Sequence, residues 1–122
     1  MGGVTGLSPS SPQRGEIYLV KLSGHPRDRK LRPALVVSLD VRNRLAHDVI
    51  VVPLSTTLRD APTHVLIPEG EGGLHHPSMA KCEQVTTLDN TLLLRGPFAG
   101  TVTAQTLMAV EHGIMRSIGV VV

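Results

Sequence analysis

Two apolar stretches near the start of the chain decide the fold: RGEIYLV at residues 14–20 and RPALVVS at residues 32–38. Both are rich in Val, Leu and Ile, which favour strands buried on at least one face. The segment between them contains Gly24, Pro26 and a basic run, a composition that predicts a loop. The two stretches therefore predict neighbouring strands at the start of a sheet, over residues 16–22 and 33–38.

Further strands are predicted at residues 49–54, 63–67 and 78–87, separated by segments rich in Gly, Pro, Ser and Asp. Residues 39–47 read as a polar connection. Residues 88–94 have a mixed pattern that allows a helical turn, and residues 96–100 lead through a short strand into the last element. Several short strands followed by a helix predict an α+β, mainly β domain built on a small, strongly bent sheet or barrel.

The last element carries the clearest helical pattern in the chain. Thr103 is a suitable N-cap, and Gly119 stands where a left-handed residue often ends a helix. Between them an apolar stripe recurs at helical spacing, formed by Leu107, Val110, Ile114 and Ile118. The stripe predicts a helix that packs on the sheet.

The 122 residues suffice for one domain with one core. Residues 1–13 are rich in Gly, Ser and Pro and lack charged side chains, so we expect a disordered leader before a domain at 14–122. Cys82 is the single cysteine, which excludes a disulfide within one chain. No stretch is apolar enough to cross a bilayer, and a cytoplasmic protein with no membrane partner is expected.

Composition restricts the function. The net charge is only +2, but basic residues cluster before the second strand, where they can hold phosphates. Tyr18 and Phe98 are the only aromatic residues. So few aromatics exclude a broad base-stacking platform and an aromatic groove for proline-rich peptides.

The two opening stretches resemble the R-G-(D/E)-(I/V)-(W/Y) and R-P-(A/V)-L-V-(V/I) strands of the MazF/PemK toxin family. VVPLST at residues 51–56 and CEQVTTLD at residues 82–89 resemble two further family segments, in the family's order. The resemblance implies an SH3-like small barrel (MazF/CcdB-like) of five to six strands with a C-terminal helix. It also implies a homodimeric toxin of a type II toxin–antitoxin system, and a cognate antitoxin with a flexible C-terminal tail.

The activity implied by the resemblance is sequence-selective cleavage of single-stranded RNA by 2′-hydroxyl attack, without a metal or other cofactor. Messenger RNA is the expected target, and transfer and ribosomal RNA stay open as targets. Arg32 holds the place of the family's catalytic arginine, where a guanidinium can stabilise charge on the phosphate. Ser55 holds the place of its catalytic threonine, and Thr56 takes over if the strand end shifts by one residue. Each also has an ordinary explanation: Arg32 as a solvated loop residue, Ser55 as a turn former.

The loop before Arg32 departs from the family, since Arg27 fills the place of a family glutamate that is a candidate base. His25 and Asp28 are the nearest alternatives, and His25 is the better base because its ordinary pKa lies near neutrality. Arg27, Arg29 and Lys30 are expected to bind the RNA backbone. Glu83 and Gln84 match a family pair that lines the RNA groove, although either could be an ordinary outward-facing polar residue.

Other assignments are weaker. Adjacent His75 and His76 point to opposite sides of an extended chain, so with His64 they make a poor metal site, and none is expected. Cys82 fits a buried structural thiol better than a reactive one.

Two other functions stay open: a non-enzymatic CcdB-like poison that binds a protein such as gyrase, and a degenerate toxin that only binds its antitoxin.

Overall fold

In a computed structural model of the chain, residues 11–22 and 31–122 are described. They form seven strands: β1 (Ile17–Lys21), β2 (Leu31–Val36), β3 (Asp48–Ser55), β4 (His64–Ile67), β5 (Ser78–Lys81), β6 (Thr86–Asp89) and β7 (Leu93–Arg95). Their helices are α1 (Asp40–Leu45) and α2 (Ala104–Ser117). This confirms the mainly β fold with a C-terminal helix, but with seven strands in place of the five to six expected.

All strand pairs are antiparallel, and the sheet runs in the order β4-β5-β3-β2-β1-β7. The longest strand, β3, pairs with β6 through its first half and with β5 through Leu54 and Ser55 at its end. Because one strand serves two partners in succession, the sheet bends around β3. The antiparallel register places the end of β3 beside the start of β2, which in turn pairs with the end of β1.

The predicted single strand over residues 78–87 was wrong. A 3-10 turn at Cys82–Gln84 divides it into β5 and β6. The N–H of Cys82 donates to the carbonyl of Thr63 at 3.0 Å, and the N–H of Val85 donates to Cys82 at 3.3 Å. The turn therefore lets β5 and β6 pair with different parts of β3. The alternation of residues along 78–87 does not reveal this break.

The predicted polar connection over residues 39–47 was also wrong, since it contains α1. Helical periodicity gives no signal there, because the apolar Val41 and Leu45 are exposed and the polar Asn43 is buried. The Asn43 side chain holds the segment by donating to the carbonyls of Pro12 and Ser38. It also accepts from the Ser38 hydroxyl at 2.6 Å.

The chain between β6 and α2 differs from the prediction too. The mixed segment at residues 88–94 contains a 3-10 turn at Asn90–Leu92, which fits the helical turn that was allowed, followed by the start of β7. Residues 96–100 form no strand. The seventh strand thus lies just before the place where the sequence predicted one.

Two clusters of buried residues lie on opposite faces of the sheet, as the alternation of side chains along each strand requires. The helix face, which α2 covers, comprises Ile17, Leu35, Val52, Leu54, Ile67, Leu74, Ala80, Cys82, Val102 and Val110. The cleft face, on the other side, comprises Tyr18, Val20, Ala34, Val36, Val49, Val51 and Leu88. Val, Leu and Ile dominate both, as expected for a chain with two aromatic residues.

Helix α2 begins and ends as the sequence predicted. The Thr103 hydroxyl accepts from the N–H of Thr106 at 3.1 Å, which caps the first turn. Gly119 has a φ of +90°, and the N–H of Val120 donates to the carbonyl of Met115, which completes a Schellman ending. Of the predicted stripe, Val110 is buried and Leu107 and Ile114 pack on the helix face, whereas Ile118 is exposed.

Arg14, the first residue of the opening motif, joins this helix to the sheet. Its guanidinium forms an ion pair with Glu111 of α2 and donates to the carbonyl of Val37 at 2.7 Å. Its N–H donates to the Asp40 side chain. The motif arginine is therefore a structural residue that links the start of the domain to α2 and α1.

The predicted leader falls mostly outside the described residues, which begin at 11, so its boundary stays a prediction. Pro12 is buried beside α1, and the N–H of Gln13 donates to Glu16 at 2.7 Å. No helix in the described ranges has the length and apolar character needed to traverse a bilayer.

Candidate ribonuclease cleft

Strand alternation places the predicted catalytic residues on the cleft face. Arg32 pairs with the buried Val20, and Ser55 pairs with Met79. Arg32 is two residues before Ala34 on β2, and Ser55 is four residues after Val51 on β3, so both share a face with the buried cluster there. They stand at the end of that face, where its apolar interior meets solvent.

Arg32 and Ser55 line one cleft of about 300 Å³. The full lining is Leu22, Arg32, Pro53, Leu54, Ser55, Lys81 and Gln84. Three of these, Arg32, Ser55 and Gln84, were predicted from the sequence, and they come from β2, β3 and the 3-10 turn after β5. Residues more than 50 positions apart in the chain therefore meet at one site.

Ser55 and Thr56 differ in position. Ser55 is half-buried at the end of β3, and its Oγ accepts a hydrogen bond from the N–H of Thr57 at 3.1 Å. This bond is the turn-forming role considered above, and it leaves the hydroxyl proton free to be donated. Thr56 is exposed and is not among the residues that line the cleft. The geometry thus favours Ser55 over Thr56 as the cleft hydroxyl.

Glu83 and Gln84 are adjacent in the 3-10 turn but face different surroundings. Gln84 lines the cleft. Glu83 accepts from the Thr63 hydroxyl at 2.7 Å and lies 3.2 Å from Nε2 of His64. Partial burial raises the pKa of Glu83, but hydrogen bonds from Thr63, the backbone and His64 outweigh it, and the net pKa is lowered. Gln84 therefore faces the cleft, whereas Glu83 makes polar contacts at the start of β4.

Lys81 lines the cleft and was not singled out in the sequence. It ends β5, two residues after Met79, so alternation puts it on the cleft face with Ser55. A signal was present, since Lys81 is the one charged residue in the apolar stretch MAKC at residues 79–82. The place of Lys81 in the cleft depends on the pairing of β5 with β3, which the sequence does not show.

The cleft has the electrostatics of an anion site. Among the described residues, its lining includes two cations, Arg32 and Lys81, together with the Ser55 hydroxyl and the Gln84 amide, and no carboxylate or histidine. Such a set can donate several hydrogen bonds to one phosphate. The predicted residues His25, Arg27, Asp28, Arg29 and Lys30 lie outside the described residues.

No metal site is evident in the described parts of the chain, where no three His, Cys, Asp or Glu side chains form a group suited to a metal ion. His75 and His76 are exposed, and His64 contacts Glu83 and the carbonyl of Arg59. Cys82 is fully buried. Its burial and the nearby charge of Glu83 raise the pKa of the thiol to about 11, so it is an unreactive structural thiol.

Two other clefts lack the candidate residues. One of about 420 Å³ lies beside β7 and is lined by Leu19, Gly73, His75, Arg95, Gly96, Pro97 and Phe98. Another of about 330 Å³ lies between β4 and the start of α2. Neither contains a residue that the sequence analysis assigned to catalysis or to RNA binding.

Known proteins share both the sequence pattern and the fold. Endoribonuclease EndoA of Bacillus subtilis is 32% identical over 85 residues, covering 66% of this chain and 73% of the relative. Endoribonuclease MazF1 of Mycobacterium bovis is 28% identical over 110 residues, or 90% and 95% of the two chains. A mycobacterial endoribonuclease solved with its cognate antitoxin has a TM-score of 0.75 at 28% identity, covering 91% and 98%.

The fold extends to more distant proteins, since MazF of Deinococcus radiodurans has a TM-score of 0.75 at 19% identity, covering 89% of this chain and 97% of that one. The model of the PemK-like, MazF-like toxins of type II toxin–antitoxin systems matches residues 13–118, nearly the whole chain. The chain therefore belongs to this family of toxins.

Proposed function

We propose that this toxin is an endoribonuclease that cleaves single-stranded RNA in the cleft formed by Arg32, Ser55 and Gln84. The observation that carries the proposal is the convergence of these three residues, each selected from the sequence, on one cation-lined cleft. The relatives named above are endoribonucleases, and they align over most of this chain. Family membership and cleft geometry thus support the same activity.

The proposed reaction is attack of a ribose 2′-oxygen on the adjacent phosphorus. The bond to the 5′-oxygen breaks, which leaves a 2′,3′-cyclic phosphate and a new 5′-hydroxyl. Negative charge grows on the two non-bridging oxygens, and the planar guanidinium of Arg32 can hydrogen-bond to both. Arg32 therefore acts by stabilising charge in the transition state.

Protons must move in the same step. One leaves the 2′-hydroxyl and one reaches the departing 5′-oxygen. The hydroxyl of Ser55 accepts from Thr57 and keeps its own proton for the substrate, so it can orient the phosphate or the attacking oxygen. His25 and Asp28 remain our candidates for the base, because the residues that line the cleft within 11–22 and 31–122 supply no carboxylate or imidazole.

The cleft and the loop before Arg32 also carry groups that can contact the RNA. Gln84 can donate to and accept from the edge of an unpaired base, and the basic residues Arg27, Arg29 and Lys30 are proposed to bind the backbone.

We further propose a homodimer that acts in the cytoplasm and is neutralised by an antitoxin with a flexible C-terminal tail. A mycobacterial relative is solved with its cognate antitoxin, which supports this partner class.

The direct test compares wild-type protein with Arg32→Ala on a long mixed-sequence RNA in EDTA, with the fragment ends mapped. We expect discrete wild-type cuts with new 5′-hydroxyl ends. Loss of the charged donor should lower the cleavage rate by about 100-fold or more while the fold persists. Cleavage by a folded Arg32→Ala variant at the wild-type rate would rule out the assignment. Absence of wild-type cuts in messenger, transfer and ribosomal RNA would favour a binding poison or a degenerate toxin.

Ser55 and Thr56 provide a matched pair in the same assay. Ser55→Ala removes a hydroxyl that lines the cleft, whereas Thr56→Ala removes one outside it. We expect slower cleavage for Ser55→Ala and nearly normal cleavage for Thr56→Ala. The opposite order would mean that the strand end shifts when RNA binds.

A further inference from the structure

His64, the first residue of β4, holds a buried imidazole between two acceptors. Its side chain is only 9% exposed. Nδ1 lies 2.7 Å from the carbonyl oxygen of Arg59, and Nε2 lies 3.2 Å from Oε2 of Glu83. A carbonyl oxygen can only accept a hydrogen bond, so Nδ1 must carry a hydrogen to make the first contact.

The second contact requires a hydrogen on Nε2 as well. Partial burial raises the pKa of Glu83, but hydrogen bonds from Thr63, the backbone and His64 lower it by more, so the carboxylate is ionised near neutrality and can only accept. A neutral imidazole has one N–H and would place a lone pair against one of the two oxygens. Both hydrogen bonds therefore form only when the ring is doubly protonated.

The contact with Arg59 leads to Ser55. Arg59 belongs to the connection between β3 and β4. Its N–H donates to the carbonyl of Thr57 at 3.0 Å, and the N–H of Thr57 donates to Oγ of Ser55 at 3.1 Å. His64 therefore anchors the segment that holds the cleft hydroxyl.

The contact with Glu83 leads to Gln84. Glu83 directly precedes Gln84 in the 3-10 turn, and its carboxylate also accepts from the Thr63 hydroxyl at 2.7 Å. Among residues 11–22 and 31–122, no hydrogen bond holds the Gln84 side chain itself, so its place in the cleft depends on how the turn is held. The bond from His64 to Glu83 is one of those that hold it.

Other charges around the ring act in both directions. Lys81 pairs with His64 across β5 and β4, so its positive charge opposes the second ring proton, whereas the carboxylate of Glu83 favours it. The other charged or titratable residues of the segments packed here are Arg59 and Asp60 in the connection, and His112 and Arg116 on α2.

We propose that His64 is a positioning residue whose doubly protonated ring links the turn of Gln84 to the segment of Ser55. This rests on the ribonuclease function proposed above and extends it to control by pH. When the pH rises above the ordinary histidine range, the ring loses one proton and keeps the shorter contact, to Arg59. The contact with Glu83 is then lost, so Gln84 binds its base less well while Ser55 keeps its place.

The test uses the full chain with three substitutions. His64→Phe keeps an aromatic ring and removes both hydrogen bonds. Glu83→Gln supplies an amide that can donate to a neutral Nε2 while its carbonyl still accepts from Thr63, so the link no longer needs the second proton. His76→Phe is the matched control, because His76 is exposed and is not in the cleft lining. Circular dichroism and thermal melting establish that each variant is folded.

Two quantities are measured from about pH 5.5 to about pH 8.5, on either side of the ordinary histidine range. The first is the protonation of the His64 ring nitrogens, which nitrogen NMR spectra of the imidazole report directly. The second is the affinity for a fully 2′-O-methylated copy of an RNA that the wild type binds, which cannot react. We expect the wild-type affinity to fall by about 10-fold as the pH rises, the order of one lost hydrogen bond to a base.

The variants separate positioning from a merely structural role. We expect His64→Phe to bind weakly at every pH and His76→Phe to follow the wild type. Glu83→Gln should keep, throughout the range, the tight binding that the wild type shows at low pH.

Two results would overturn the role of His64. One is a ring that is neutral at the pH of tight binding, and the other is a Glu83→Gln profile as steep as that of the wild type. If the wild type binds RNA but cuts none in its unmodified form, the ribonuclease function fails while the affinity profile still decides the role of His64.

Discussion

The two faces of the sheet use the same strands for different purposes. The helix face is apolar throughout and is covered by α2, whereas the cleft face is apolar in its middle and becomes polar at one end, at Arg32, Ser55 and Lys81. On β2, adjacent residues serve the two faces, since Leu35 belongs to the first and Ala34 to the second. One alternating pattern therefore specifies both the packing of the helix and the site.

The comparison predicts that substitutions on the helix face reduce stability, whereas substitutions at the polar end of the cleft face reduce activity. The reason is the number of packed neighbours that a side chain loses in each place. A buried leucine packs on all sides, while a cleft side chain meets solvent or substrate on one. Three substitutions that change stability test this contrast.

The largest expected effect is that of Leu35→Ala. Leu35 is fully buried on the helix face, and a Leu→Ala change in such a site costs about 2–5 kcal/mol of unfolding free energy. Leu45→Ala in α1 is the control, because Leu45 is 83% exposed and its truncation should change stability by less than about 0.5 kcal/mol. Urea unfolding measures both. Equal costs for the two variants would contradict the assignment of the core.

A smaller loss of stability is expected for Gly113→Ala in α2. A Cβ at this position would lie 2.7 Å from Sγ of Cys82 and 3.0 Å from its Cβ, so the helix could not keep its distance from the sheet. Overpacking of this kind costs about 1–3 kcal/mol, which opposes a gain of about 1 kcal/mol from alanine in a helix. We expect net destabilisation in urea unfolding.

The Cys82→Ala background isolates that contact. Removal of Sγ takes away the shorter of the two contacts that the new Cβ would make. Gly113→Ala should therefore lower the unfolding free energy less in the Cys82→Ala background than in the wild type. The same cost in both backgrounds would mean that the helix is not held by its contact with Cys82.

The smallest expected effect concerns Glu83, at the boundary between the cleft and β4. Its pKa is lowered in the folded state from an ordinary value of 4.5, so it contributes stability above that pH and loses the contribution as the pH falls through the folded pKa. Because the side chain is 38% exposed, the contribution should stay below about 1 kcal/mol.

Glu83→Gln tests this pH dependence. The difference in unfolding free energy between wild type and variant should be present at pH 7 and should shrink at acidic pH. Glu69→Gln, at an exposed position outside the contact with Thr63 and His64, is the matched control. A difference that grows on acidification would contradict the lowered pKa.

Much of the strand pattern could be predicted from the sequence. The apolar runs around Leu35 and Val51 coincide with β2 and β3, and the caps at Thr103 and Gly119 coincide with the ends of α2. These signals are local, since they depend on side-chain periodicity and on the conformational preferences of single residues. The places of Arg32 and Ser55 at strand ends followed from the same signals.

The errors have a common physical cause. Helix α1 depends on hydrogen bonds from the buried Asn43 side chain to Pro12, 31 residues away, and to Ser38. The break between β5 and β6 depends on a hydrogen bond from Cys82 to Thr63 and on close packing of Cys82 against Gly113. Contacts between distant segments decide both features, so the local pattern was insufficient.

The sequence by itself determined a mainly β domain with a C-terminal helix, the family of toxins, and a short set of candidate residues, because these depend on periodicity, capping and motif order. Only the tertiary structure decided which candidates meet. It placed Arg32, Ser55 and Gln84 in one cleft, turned Glu83 towards His64, and added Lys81. The pairing of β3 with two strands in succession is the reason, since it brings together residues that are far apart in the chain.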